Sequence, residues 1–261
     1  MKQRLIFLLT VSFVSLLLLS SCSDRSVTIS NHERLYSIGL MHNELLKIQN
    51  NNQNNIRDYV LDENGFMSID NHSLMFASMR DYFVTEKGFI PSDVDNTLQQ
   101  MNQVLDVIGA FEDIDGTQYV VPFDSTFIIN SYIYARNAGY LTSKEKELID
   151  PVISDYINGA PTIAIDEKIE YISTQLSLYN EDQVRKCYDF VEVYLASKDY
   201  WGDAVIFRYG NGVIIADAIG TIIGSGAYSW TGPGAVIGGA VLGAYYSCLM
   251  NWHNANFHHN H

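Results

Sequence analysis

Residues 212–252 read GVIIADAIGTIIGSGAYSWTGPGAVIGGAVLGAYYSCLMNW, and this stretch decides the fold. Small residues recur every four places in two series: Gly212, Ala216, Gly220 and Gly224, then Ala235, Gly239, Gly243 and Ser247. On an α-helix each series forms a stripe along one face, and such stripes let two helix backbones approach closely. Glycine inside a helix costs about 1 kcal/mol relative to alanine, so this many of them need a packing or membrane reason. Thr231-Gly232-Pro233-Gly234, between the two series, is a natural reversal. The stretch therefore predicts a glycine-zipper helical hairpin, with residues 204–252 as a unit of their own.

The arms, Val213 to Trp230 and Gly234 to Met250, would each be roughly 26 Å long as helices at about 1.5 Å per residue. That is near the lower limit for crossing a hydrocarbon core of roughly 30 Å. Trp230 at the turn, and Tyr209, Tyr245, Tyr246 and Trp252 near the other end, stand where interfacial aromatics belong. Asp217 opposes insertion, at about 2.5 to 3.5 kcal/mol if it faced the bilayer centre alone. Two readings follow: a hairpin that inserts or assembles in a membrane, and one packed tightly against a water-soluble body. The spacing resembles that of the C-terminal regions of glycine-rich class II bacteriocins and other small membrane-active proteins. The N-terminal residues depart from the double-glycine leader of exported bacteriocins, which points away from a diffusible toxin.

Upstream of Arg208 the pattern is helical and amphipathic. Ser30 and Glu33 have capping-box spacing, and Leu35, Ile38, Met41, Leu45 and Ile48 follow on one face until the polar run Asn50 to Asn55. A short segment spans Ile56 to Leu61, and a helix spans about Ser73 to Thr85 before Lys87-Gly88. Pro91 opens a helix with Val94, Leu98, Met101, Leu105 and Ile108 on one side. Between Asp113 and Ile129 the periodicity breaks, and Tyr119 to Phe123 is either extended or a buried loop. Helices resume from Ser125 to Gly139, after a cap at Thr142 or Ser143, from Ile165 to Tyr179 and from Asp182 to Ser197; Pro151 marks a kink or restart. The expected fold is mainly α: an irregular helical bundle over residues 30–203, followed by the hairpin and a His-rich tail at 253–261. On this reading a chain ended at Arg208 would still fold.

At the other end, Lys2 and Arg4 precede an uncharged run from Leu5 to Leu19, then Ser20, Ser21 and Cys22. A basic head, an apolar run and small residues before a cleavage point make a signal peptide over residues 1–21. With its aliphatic-small-small-Cys ending the segment resembles the bacterial lipoprotein signal. The resemblance implies diacylation of Cys22 through its thioether, cleavage before it, acylation of the new N-terminus, and a tether over residues 22–29. Several acyl chains on one residue give stable anchoring, whereas one is marginal. In that family an aspartate directly after the cysteine favours the inner membrane; here Ser23 occupies the place and Asp24 follows, which favours the outer membrane.

Cleavage would remove two basic residues and no acidic ones, taking the formal charge from −14 to −16. Such a balance argues against nucleic acid and against electrostatic attachment to anionic lipid. Beyond Cys22 only Cys187 and Cys248 remain, and the sequence leaves open whether they form a bridge or two buried thiols.

Tyr36-Ser37-Ile38-Gly39-Leu40-Met41-His42-Asn43-Glu44-Leu45-Leu46 resembles a recurring aliphatic-Gly-x-x-His-Asn-x-x-Leu motif of uncharacterised bacterial envelope proteins. Physically, His42 and Asn43 beside a helix stripe read as a buried polar pair that fixes packing. His253, His258, His259 and His261 could take up a transition metal, although adventitious binding by a flexible tail is the simpler reading, and no cofactor is expected. The acidic turns at 62–65 and 112–116 lack the alternating ligands of an EF-hand. Phosphate loop, dinucleotide fingerprint, nucleophile elbow and zinc-protease helix are all missing from the sequence.

The leading expectation is a non-enzymatic envelope lipoprotein, held to the bilayer through acylated Cys22, whose helical domain presents the hairpin to a membrane, a second copy or a partner helix. A membrane-permeabilising, toxin-like effector is the alternative. A hydrolase with an unrecognised site is the third class.

Overall fold

The computed structural model describes residues 37–55, 64–209, 211–228 and 232–257, with backbone alone at 51–55, 203–209, 256 and 257. The fold is mainly α with one small antiparallel sheet. The expected capping box at Ser30 and Glu33, the segment Ile56 to Leu61, the signal peptide, Cys22, the tether, Trp230, His258, His259 and His261 lie outside the described residues.

Helix α1 (Ile38–Asn55) buries Ile38, Met41, Leu45 and Leu46, the three- and four-residue spacing of a single inward stripe. Strand β1 (Met67–Ser68) leads into α2 (Ile69–Asp81), where the Ser68 side chain accepts from the Asn71 backbone N–H, and a π-helical turn, Tyr82–Glu86, extends the helix. Helix α3 (Pro91–Val107) has proline in its first turn, where no N–H is needed, and buries Val94, Leu98, Met101 and Leu105. Strands β2 (Phe111–Ile114) and β3 (Thr117–Val120) form a hairpin that pairs with β1 in the order β1-β3-β2. Asp115 and Gly116 at its tip both have positive φ, 52° and 79°, which suits the right-handed twist of a two-residue turn. Helix α4 (Ser125–Asn137) is capped by Asp124, and α5 (Ser143–Ile157) by a complete Thr142–Glu145 capping box. Helix α6 (Thr162–Leu176) precedes α7 (Glu181–Tyr209), which breaks at Val184 and at Gly202, where φ is 63°.

Two apolar helices close the chain, α8 (Gly212–Ala227) and α9 (Pro233–Phe257), and they occupy the centre. Every residue of α8 from Gly212 to Ser225 is buried. Helix α9 runs along α8 and also packs on α1 and α3, while α7, α4 and α3 cover α8. Helices α5 and α6 form an outer layer on α7. A helix that is apolar all round belongs inside a protein or a membrane, and here the amphipathic helices around the hairpin supply the covering.

The structure corrects several expectations. Residues from Ile38 onward form one compact unit, so no domain boundary falls at 203/204: the hairpin is the core of the bundle and not an appendage to it. Pro151 sits inside α5 without ending it; the side chain is exposed, so water can serve the carbonyl that loses its partner. His253 belongs to α9 and not to a flexible tail. Of the two alternatives open for Cys187 and Cys248, the structure has two buried thiols without a bridge.

Candidate functional site

The two small-residue stripes meet along the α8–α9 seam. A Cβ added at Gly224 would lie 1.9 Å from the Gly238 carbonyl oxygen, and one at Gly220 would lie 2.4 Å from that of Leu242. On the facing helix, a Cβ at Gly243 would meet Thr221 Oγ1 at 2.6 Å and the Asp217 carbonyl oxygen at 3.2 Å. Gly239 faces Ile38, Thr221 and Ser225, and Gly212 faces the Met250 methyl. The helices are antiparallel and nearly in backbone contact, a distance that any side chain at Gly220 or Gly224 would prevent. Thr221 Oγ1 donates to the Gly239 carbonyl at 3.2 Å across the seam. Ala216, Ala235 and Ser247 are buried with them. Gly238, the nearest neighbour of Gly224, falls outside the four-residue spacing and was not legible as a seam residue.

Polar side chains clasp this hairpin to its covering at four places. The first is built on Asp217, which is fully buried. Ser197 Oγ of α7 donates to Asp217 Oδ2, and His42 Nε2 of α1 lies 3.3 Å from the same oxygen. Asn43 Nδ2 donates to the Ala196 carbonyl at 2.9 Å, which turns its Oδ1 towards His42 Nδ1, also at 2.9 Å. Because Asn43 Oδ1 can only accept, Nδ1 carries a proton. Burial pushes the Asp217 carboxyl above its ordinary range, opposed by His42, Ser197 and Ser247. Trp201 Nε1 donates to Ser247 Oγ at 2.9 Å, tying α9 into the same cluster.

Gly39 completes this clasp. A Cβ there would meet Ala196 Cβ at 3.0 Å and the Glu192 carbonyl oxygen at 3.1 Å, while its N–H donates to Glu192 Oε1 at 3.1 Å. Gly39, His42 and Asn43 thus dock α1 on α7 and reach through to α8. Ser, His and Asp are the constituents of a hydrolytic triad, but here the serine bonds to the aspartate and not to the histidine, and all three side chains are shut off from solvent.

The second clasp joins Lys186 of α7 to Ser225 of α8, Nζ to Oγ at 2.9 Å, with Asp189 Oδ2 3.8 Å away. Burial lowers the Lys186 ammonium pKa, and the backbone N–H of the same residue donates to the buried Glu145 Oε1 at 2.6 Å. The third is His72 of α2, whose Nδ1 lies 2.7 Å from Tyr245 OH and whose Nε2 lies 2.8 Å from Asn102 Oδ1. Asn102 Oδ1 accepts from Nε2–H, so Nδ1 accepts from the tyrosine, and the ring is neutral; burial pushes its pKa down to about 4. The fourth is Tyr246 OH with Ser131 Oγ of α4 at 3.1 Å. Each clasp joins a polar side chain of the hairpin to one or more residues of the covering. Tyr245 and Tyr246, read in the sequence as interfacial aromatics, are instead fully buried clasp residues, and Ser225 was missed because an isolated Ser in an apolar run carries no spacing signal.

Among the described residues no group of three His, Cys, Asp or Glu side chains is arranged to hold a metal ion. In direct comparison the chain matches no family model, no curated protein and no solved structure.

Proposed function

We propose that the protein is a non-enzymatic cell-envelope lipoprotein, anchored through acylated Cys22 with the outer membrane as its address, whose helical body sheathes the glycine-zipper hairpin in water and releases it to a membrane or a partner helix. The observation that carries this reading is the hairpin's own completeness. Its two helices satisfy each other along a close backbone seam, and α9 is long and apolar enough over Pro233–Ala255 to cross a bilayer by length and composition, yet 83% of its apolar window is buried in the bundle. A pair that keeps its internal contacts can exchange one apolar surrounding for another without repacking. The sheath is held by a few polar clasps, and these are what release must break.

Presentation of the hairpin is therefore conditional, not constitutive. Asp217 is the main cost of transfer into lipid, and its raised pKa favours the neutral carboxyl, which lowers that cost. The membrane-length α9 also favours a second reading, in which the released hairpin permeabilises the bilayer.

The test uses a chain begun at Ser23, without signal or lipid, mixed with vesicles of zwitterionic and of anionic lipid, carrying a bilayer-resident carbene probe and an entrapped dye. Labelling of residues 212–255 in the vesicle-bound chain supports release, and dye loss with it supports permeabilisation. Vesicle association without labelling of the hairpin, or no association with either lipid, contradicts the proposal.

A further inference from the structure

His72 of α2 stands where the hairpin meets two other elements at once. Its Nδ1 accepts from Tyr245 OH of α9 at 2.7 Å, and its Nε2–H donates to Asn102 Oδ1 of α3 at 2.8 Å. Phe76 of α2 and Phe111 of β2 lie against the imidazole at ring-centroid distances of 4.4 and 5.2 Å. The residue is 3% exposed. Both ring nitrogens are thus satisfied by neutral groups, and only while the ring carries a single proton.

A second proton has no arrangement to enter. It would sit on Nδ1, and Tyr245 would then have to accept there and turn its own hydroxyl proton elsewhere. Tyr245 is fully buried among His72, Phe76 and Phe123, and its hydroxyl has no other hydrogen-bond partner among the described residues. The imidazolium would also be an unpaired charge in an apolar enclosure. Among the described residues Tyr245 is the titratable group that faces the ring; Asn102, Phe76 and Phe111 carry no charge, and α1, β1 and β3, which also pack on α2, bring no charged group to it. The cost disappears when α9 parts from α2 and α3, because water then surrounds the ring. That separation is the one that release of the hairpin requires.

We propose, on the release reading above, that His72 is an acid-sensitive latch on the hairpin: a proton taken from solvent by Nδ1 breaks the Tyr245 contact, separates α9 from α2 and α3, and frees the hairpin for the bilayer. The sheathed form binds that proton only at about pH 4, against the ordinary 6.5 of a hydrated imidazole, so release takes up one proton and is favoured as pH falls through that window. Between about pH 7 and about pH 4.5 the ratio of released to sheathed chain rises by about 60-fold. Carboxylate ion pairs such as Arg80–Asp95 also weaken in acid, so the latch is read from the difference between wild type and variants.

The test places the membrane-purified chain in zwitterionic vesicles that carry the carbene probe and maps labelling across the same pH range. In wild type, labelling within residues 212–255 is expected to rise by roughly 60-fold while the released form is the minority. His72→Gln, whose amide can accept from Tyr245 and donate to Asn102 without titrating, is expected to lose most of that rise. Asn102→Asp keeps the imidazole but gives its second proton a carboxylate, so the sheath tolerates the charged ring and the rise is blunted as well; this variant decides the matter if His72→Gln fails to fold by circular dichroism. An unchanged pH dependence in a folded variant overturns the latch and leaves release standing. No labelling of wild type at any pH overturns release and the latch together. Acid labelling spread over α1, α3 and α7 marks global unfolding and overturns the latch.

Discussion

A Cβ at Gly224 would press on a carbonyl oxygen of the opposing backbone, and a backbone cannot swing aside as a side chain can. Gly224→Ala is therefore expected to lose about 3 kcal/mol in urea denaturation. Gly212→Ala, which meets the flexible Met250 methyl at 2.8 Å and the Tyr156 hydroxyl at an ordinary 3.5 Å, should cost less than about 1 kcal/mol. His72 sets a pH response of definite sign. Its folded pKa of about 4 lies below the ordinary 6.5, so the unfolded chain binds the extra proton first, and stability falls as pH drops from 6.5 through 4. The full effect is about 3 kcal/mol, and it vanishes in His72→Gln; parallel pH curves for the two proteins contradict the assignment. Asp217 acts in the opposite sense: its raised pKa contributes stability at low pH that is lost as pH rises above 3.8 through the folded value. Asp217→Ala strands His42 and Ser197 in a dry interior and should cost about 3 kcal/mol at neutral pH.

At the scale of elements, removal of α8 and α9 takes away the surface on which α1, α3, α4 and α7 pack. A chain ended at Arg208 is accordingly expected to show no cooperative thermal transition by circular dichroism, the reverse of what the sequence suggested. The helices of the covering were legible because each keeps one apolar stripe, as in α3 with Val94, Leu98, Met101 and Leu105, and because caps such as Thr142 with Glu145 mark their starts. The small-residue series at Gly220, Gly224, Gly239 and Gly243 showed that two backbones approach closely. It could not show what covers the pair, since an apolar helix looks the same in a core and in a bilayer. The β2–β3 hairpin was read as an acidic turn, with Tyr119 to Phe123 left as extended or a buried loop, although Asp115-Gly116 has the chemistry of a two-residue reversal; the flanking residues are largely exposed and give no alternating pattern. Of the clasps, His42 and Asn43 were recognisable as a pair, but Ser197 and Trp201 are brought to them by tertiary packing alone.

For the whole molecule, the proposal joins an acidic, water-compatible covering to an apolar centre and a lipid on Cys22. In membrane fractionation Cys22→Ala is expected to abolish maturation and keep residues 1–21, whereas a chain begun at Ser23, with neither signal nor lipid, is expected in the soluble fraction and folded, because the hairpin is sheathed and offers no second anchor at rest. The most direct test of the sheathed hairpin is hydrogen exchange on a chain begun at Ser23, in water without lipid. Amides of residues 214–225 and 237–250 are predicted to exchange more slowly than any others, opening only with global unfolding. Exchange of these amides ahead of those in α1, α3 and α7 would contradict the account.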